Sequence, residues 1–287
     1  MGAFSILNNV AALFAQTQLH VTNNQLTQSI NRLSSGKRIN SGADDAAGLM
    51  IADTLRANIR AIDQAVRNAN DGLGVGQIAD GALGEITNLL TRSVTLAEEA
   101  ATETVDSTGR AALNAEFTQI EAEIARIATQ TNFGGVCLFT ASGLNGGISV
   151  FVGDIFGSSS IAVTINTITA GVDTVTALGN EDLTTVDLST QNGAQAALGV
   201  IRRSLIAVAN DRGTIGAGMN RLQSAVSVMQ SQSLNTAAAE STIRDANMAQ
   251  EVSNLTKYQI LAQTGTAALS QANMQSSSIL SLLRSMG

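Results

Sequence analysis

Few residues in this chain could do chemistry. His20 is the only histidine among 287 residues. A zinc motif of two histidines one helical turn apart therefore cannot form. A Ser-His-Asp triad would have to use His20, whose surroundings are polar and small and offer no pocket, so it reads as an exposed or interface histidine. Cys137, in "FGGVCLF", has apolar neighbours and no basic one. That reads as a buried or semi-buried structural thiol rather than a nucleophile. "DGLGVGQIADG" carries glycines but fits no phosphate-binding spacing, and the flanking strand is missing. Two acid pairs remain. Asp44 and Asp45 stand where a helix should open, and there carboxylates cap free N–H groups and meet the helix dipole. Glu98 and Glu99 read as solvent-facing. The residues imply no cofactor, no metal and no enzyme.

The composition points to a structural role. Charged residues make up 14%, well under the usual quarter, and aromatics only 3%. Small side chains bury little apolar area at roughly 25 cal/mol per Å², so burial against other chains would supplement a thin core. A net charge of −7 with no basic run argues against nucleic-acid binding. Residues 1–31 and 258–283 carry no Lys or Arg, so the ends are poor membrane-surface helices and better partners for other helices. No apolar run approaches the length of a membrane span. The start, "MGAFSILNNVAALFAQ", lacks a basic n-region and does not read as a secretory signal.

The elements that must position these residues follow from hydrophobic period. Proline is absent, which permits long helices. Leu7, Phe14 and Val21 recur every seven residues, and Leu19, Leu26 and Leu33 do so on a neighbouring stripe. Steps of three and four at the other end select Val252, Leu255, Gln259, Ala262, Thr266, Leu269, Asn273, Ser276, Leu280 and Leu283. The inner seams are Ala52, Leu55, Ile59, Ile62, Val66, Ala69 and Leu73; then Leu113, Phe117, Ile120, Ile124 and Ile127; then Leu198 to Met229, interrupted only by Arg212. Such spacing predicts coiled-coil packing. A helix over about 196–232 would be roughly 55 Å long. Glycines at 70–81 predict a break or a loosened helix. Asp106 and Ser107 predict an N-cap. Between about 133 and 192, "GGISVFVGD" and "SSIAVTINTI" predict short strands, with "NGG" at 145–147 as a hairpin turn. The fold class is mainly α: an elongated rod of long antiparallel coiled-coil helices with a small β-hairpin region.

Several long motifs then resemble bacterial flagellin: "LTQSINRLSSGKRINSGADDAAGLMIADTLRANI", "RNANDGLGVGQIADGALGEI", "ESTIRDANMAQEVSNLTKYQILAQTGTAALSQAN" and "ILSLLR". The resemblance covers about residues 4–138 and 198–284 and fits a short form without large outer domains. It implies a terminal coiled-coil core domain from 1–45 plus 245–287, and a helical rod domain from 46–244. The stretch between them would be a spoke, with Gly36 and Gly42 permitting the excursion, Asp44 or Asp45 capping the next helix, and Arg244-Asp245 marking the return crossing. The terminal assembly helices would carry Leu19, Leu26, Leu33, Val252, Leu255, Leu269, Leu280 and Leu283.

The same resemblance implies self-polymerisation into an extracellular flagellar filament for motility. It implies export of the unfolded chain by a type III apparatus, with a chaperone on the C-terminal segment. Hook–filament junction and cap proteins are further implied partners. An innate immune receptor patch matches Arg92, Leu96 and Glu116, although Ser93, Val94 and Thr95 depart from the family pattern; packing between protofilaments is the preferred reading of that face. The alternatives are a hook–filament junction protein or a secreted host-interaction ligand. Ser and Thr between about 140 and 192 are candidates for O-glycosylation.

Overall fold

The computed structural model describes residues 9–140, 147–155, 157, 159–166, 183 and 186–285, with side chains up to 275. Among these residues, five helices and four short strands follow in order: α1 (Val10–Ser35), α2 (Ala46–Ala100), α3 (Ser107–Gln130), β1 (Asn132–Phe133), β2 (Val136–Cys137), β3 (Ile148–Phe151), β4 (Ser160–Val163), α4 (Gln191–Arg244) and α5 (Met248–Ser285). The mainly helical class with small antiparallel strand pairs is as expected. Two compact units emerge, one from Met1–Ala57 with Asn235–Gly287, the other from Asn58–Leu234. They divide within α2 and α4, whereas the boundaries expected at 45/46 and 244/245 fall near helix ends.

In the second unit, α2 keeps a three-four rhythm of buried positions through Ile62, Ala65, Ala69, Gly72, Gly76, Ala79, Leu83, Ile86 and Leu90. The break expected at 70–81 does not occur. Gly72 and Gly76 lie on the buried seam, where a β-carbon would stand 2.5 Å from Val150 Cγ2 and 2.7 Å from Met219 Sδ. They are glycines for close packing, and the packing they permit offsets the ~1 kcal/mol that each costs a helix. From α3, the core takes Phe117, Ile120, Ile124 and Ala128. That helix opens as expected, with Gly109 N–H donating to Asp106 Oδ1 at 2.7 Å.

The helix expected over 196–232 is longer, and its seam is one residue out at every second step: Ala197, Ser204, Asp211 and Gly218 are buried, and Leu198, Leu205, Arg212 and Met219 beside them are half-buried. Ile201, Val208, Ile215 and Leu222 are fully buried as expected, but the ionisable residue in the seam is Asp211, 7% exposed. Arg212 instead turns aside to pair with Asp80, Nε to Oδ1 at 2.7 Å. Asn166 Nδ2 donates to Asp211 Oδ1. Burial pushes the Asp211 carboxyl above the usual aspartate range, and the Asn166 hydrogen bond opposes that rise.

The strands form two antiparallel pairs. β1 and β2 join through Gly134 and Gly135, at φ 59° and 85°. That two-residue turn needs left-handed backbone at both positions. β3 pairs β4 with Ile148 opposite Val163 and Val150 opposite Ile161. Alternation turns Val150 and Val163 into the core. Asn145 and Gly146 of the expected "NGG" turn lie outside the described residues, and the paired strands are joined instead through 152–159.

Candidate functional site

The first unit pairs the chain ends. On α1, Ala12, Ala15, Leu19, Thr22, Leu26, Ser29 and Leu33 are buried or half-buried at three-four spacing. On α5, the matching set is Glu251, Leu255, Tyr258, Ala262, Gly265, Leu269 and Ala272. Three contacts fix an antiparallel register. Asn9 Nδ2 donates to the Ala272 carbonyl at 3.0 Å. A β-carbon on Gly265 would stand 3.8 Å from Leu19 Cβ. Arg32 Nη1 lies 3.5 Å from Glu251 Oε1.

Leu19, Leu26, Leu33, Leu255 and Leu269 are thus half-buried in this seam. Val252 is not: it is 49% exposed. Gln259, Thr266 and Asn273 are exposed with it, and the expected seam was one residue out at every second step. The true seam begins at Glu251, a carboxylate that an apolar period skips because only Arg32 makes its burial tolerable. The side chains of Leu280 and Leu283 lie outside the described residues.

The opposite faces of these helices are apolar and open. Val10, Leu13 and Phe14 are 69%, 64% and 73% exposed, and Ile260 and Met274 are 55% and 60%. Residues 9–31 and 258–275 contain no charged side chain at all. Exposed large apolar side chains grouped on uncharged helix faces point to an interaction site. No helix among the described residues is long and apolar enough to cross a membrane.

Between α1 and α2 the chain turns on Gly36, a left-handed cap at φ 70°. Lys37 and Asp245 then form an antiparallel bridge. Arg38 N–H donates to the Arg244 carbonyl at 2.7 Å, and Ala246 N–H to the Gly36 carbonyl at 2.9 Å. The two acids at 44 and 45 divide their work. Asp45 caps α2 by accepting from Gly48 N–H at 2.9 Å. Asp44 accepts from the N–H groups of Ser41 and Asn40, which hold its carboxyl below the usual range, with Gln28 Nε2 also donating. Gly42 is exposed and has no left-handed backbone. The Arg244 guanidinium is buried and reaches Asp53 Oδ1 at 3.0 Å.

Arg92 and Glu116 meet across α2 and α3, Nη2 to Oε1 at 2.7 Å, on an exposed face. Leu96 does not join them. It is 1% exposed, within the core, so no partner can touch it. His20 is exposed beside Asn24. Cys137 is half-buried, its thiol against the Thr129 carbonyl at 3.4 Å. Among the described residues no cluster could hold a metal ion.

Family models match both helical ends: the bacterial flagellin N-terminal helical region over residues 6–143 and the C-terminal helical region over 198–283. The chain belongs to the bacterial flagellin family. A flagellin of Halalkalibacterium halodurans is 37% identical over 280 residues, covering 97% of this chain and 99% of that one. The 31.3 kDa core protein of the flagellar filament of Treponema maltophilum is 34% identical over 287 residues, again 97% and 99%. A solved Vibrio parahaemolyticus chain, titled as a flagellar hook-associated protein, shares the fold alone: TM-score 0.58 at 14% identity, covering 70% of this chain and all of that one.

For a flagellin, the features that period and composition did not reveal are the inward Glu251 and Gly265. Gly265 could have been flagged as a lone glycine inside an otherwise strong helix. Glu251 could have been flagged as an acid one helical step from the apolar seam, with Arg32 on the other end of the chain as a candidate cation.

Proposed function

We propose that the chain is a structural subunit that polymerises with copies of itself into the flagellar filament outside the cell, serving motility rather than catalysis. The observation that carries this reading is the uncharged outer face of the paired ends, with Val10, Leu13, Phe14 and Ile260 exposed on a single chain. A relative similar over 97% of the chain is named as a filament core protein. Contacts that repeat head to tail without closing build a helical polymer. Burying that face in neighbours supplies the stability that small, uncharged helices lack alone.

In this reading the ends, 1–45 with 245–287, form one assembly domain of the filament subunit, and 46–244 form its helical body. Export as an unfolded chain by a type III route, with a chaperone on the C-terminal segment, fits ends whose outer faces gain burial only on assembly. Hook-associated proteins of similar fold are the neighbours at the filament's ends. The exposed Arg92–Glu116 face contacts adjacent subunits, and an innate receptor would compete for the same face without Leu96.

The test is seeded polymerisation. Heat-dissociated protein, cooled and given seeds or a precipitating salt, should form long filaments of uniform width by negative-stain electron microscopy, with helicity rising on assembly. Protein that stays monomeric under every seeding condition favours a junction or ligand role and overturns the filament reading.

A further inference from the structure

The apolar spacing of α1 and α5 does not by itself choose the register that the structure shows. Leucine and small residues recur along their seam at heptad spacing, so shifting α5 by seven residues brings Leu26 opposite Gly265 and Leu33 opposite Tyr258. Apolar contacts alone distinguish such registers poorly. Charge cannot help along most of the pairing, because residues 1–31 and 258–283 hold no charged side chain. Arg32 and Glu251 stand at the inner edge of that uncharged zone and meet at 3.5 Å.

Their geometry is poor for stability. Arg32 Nε and Glu251 Oε2 are both buried without hydrogen-bond partners. A buried pair satisfied this incompletely returns little of its desolvation cost. Any other register separates the two, leaving half-buried Arg32 without its carboxylate and Glu251 without its cation. The backbone bridge at Lys37 and Asp245 anchors the crossing but reads no side chains.

We propose that the Arg32–Glu251 ion pair is the register key for the pairing of the two chain ends. It selects one alignment of two otherwise slippable helices, at some cost in stability, and thereby fixes which outer residues of α1 and α5 form the common apolar face. This deepens the filament reading but does not depend on it, because the register is a property of one chain.

Cross-linking tests it in the full chain, with Cys137→Ser removing the one native thiol. Leu19→Cys with Gly265→Cys reports the observed register, since 3.8 Å between β-carbons suits a disulfide. Leu19→Cys with Ala272→Cys reports the slipped register, because seven residues displace the site by about 10 Å. With Arg32 and Glu251 intact, only the first pair should close within a chain on mild oxidation. Adding Glu251→Leu should make the slipped cross-link appear and weaken the native one, and the swap Arg32→Glu with Glu251→Arg should restore the original pattern. A slipped cross-link that is unchanged by Glu251→Leu overturns the proposal. So does loss of both cross-links, which would make the pair a source of stability rather than of register. Seeded assembly of the unsubstituted chain is scored separately: its failure removes the filament reading and leaves the register result standing.

Discussion

Val150, on β3, occupies the space where a side chain on Gly72 of α2 would lie: a β-carbon there would stand 2.5 Å from Val150 Cγ2. Gly76 makes the same provision for Met219. Alanine at either position gains up to ~1 kcal/mol in helix propensity; at Gly72 it meets buried, branched Val150 and costs ~1–3 kcal/mol of strain, whereas at Gly76 the half-buried Met219 side chain can swing aside. Gly72→Ala should therefore lower the thermal midpoint, and Gly76→Ala should lower it less. Gly74→Ala and Gly84→Ala, which meet open space, should leave it unchanged or raise it. Calorimetry of the four variants decides between packing glycines and helix breakers.

Asp211 gives stability a pH dependence of unusual sign. Its carboxyl is raised in the folded chain by burial. Its contribution is therefore fully present below the ordinary aspartate range and is lost as pH rises through the folded value. Asp211→Asn keeps an acceptor for Asn166 and removes the buried charge. We expect the variant to melt higher at neutral pH, by about 2–4 °C for each kcal/mol gained in a unit of this size. The difference should vanish in acid. A variant that melts lower at pH 7 and equally at pH 3 would contradict this.

Asp44 acts in the opposite sense. The N–H groups of Ser41 and Asn40 hold its carboxyl low, so its contribution is present above the ordinary aspartate range and lost as pH falls through the depressed value. Asp44→Asn should reduce the acid sensitivity of the turn before α2. Asp45→Ala should cost roughly 1 kcal/mol, as loss of a helix cap does. Hydrogen exchange of residues 40–50 against pH separates the two.

Much of this fold is legible in the sequence where a residue's role depends on its own neighbours. The core positions of α3, the Asp106 cap and the alternation of β3 and β4 all follow from local spacing. Legibility ends where a distant partner decides the role. Gly72 reads as a breaker until Val150 is placed against it. Glu251 reads as a surface acid until Arg32 arrives from the other end of the chain. Leu96 shares a helix with Arg92, yet its place on the helix turns it into the core. The β1–β2 hairpin was missed although "FGGV" carries its signal, because two-residue strands leave too little alternation to recognise.

Arg92 and Glu116 satisfy one another within the chain, on side chains 57% and 44% exposed. Such pairs are worth under about 1 kcal/mol. Arg92→Ala should leave the monomer's melting temperature almost unchanged. Any loss of filament length or heat resistance in that variant then reports contacts between subunits. Full-length filaments of normal heat resistance would remove this face from the assembly interface.

Phe14 separates folding from assembly most cleanly. It is 73% exposed on the face of α1 turned away from α5, so Phe14→Glu touches no packed side chain and should alter monomer stability by no more than ~0.5 kcal/mol. Leu19, five residues on, is half-buried in the seam with α5, and Leu19→Glu should loosen the pairing within one chain. The filament reading requires both variants to fail in seeded polymerisation for different reasons. Phe14→Glu should retain the protection of amides along α1 found in the unsubstituted monomer, and Leu19→Glu should lose what protection is there. Burying a carboxylate against apolar neighbours costs several kcal/mol, and repetition of that cost at every subunit leaves no room for partial assembly. Filaments of normal length from Phe14→Glu would show that the open face of α1 stays in solvent, and the interface would have to be sought elsewhere on the chain.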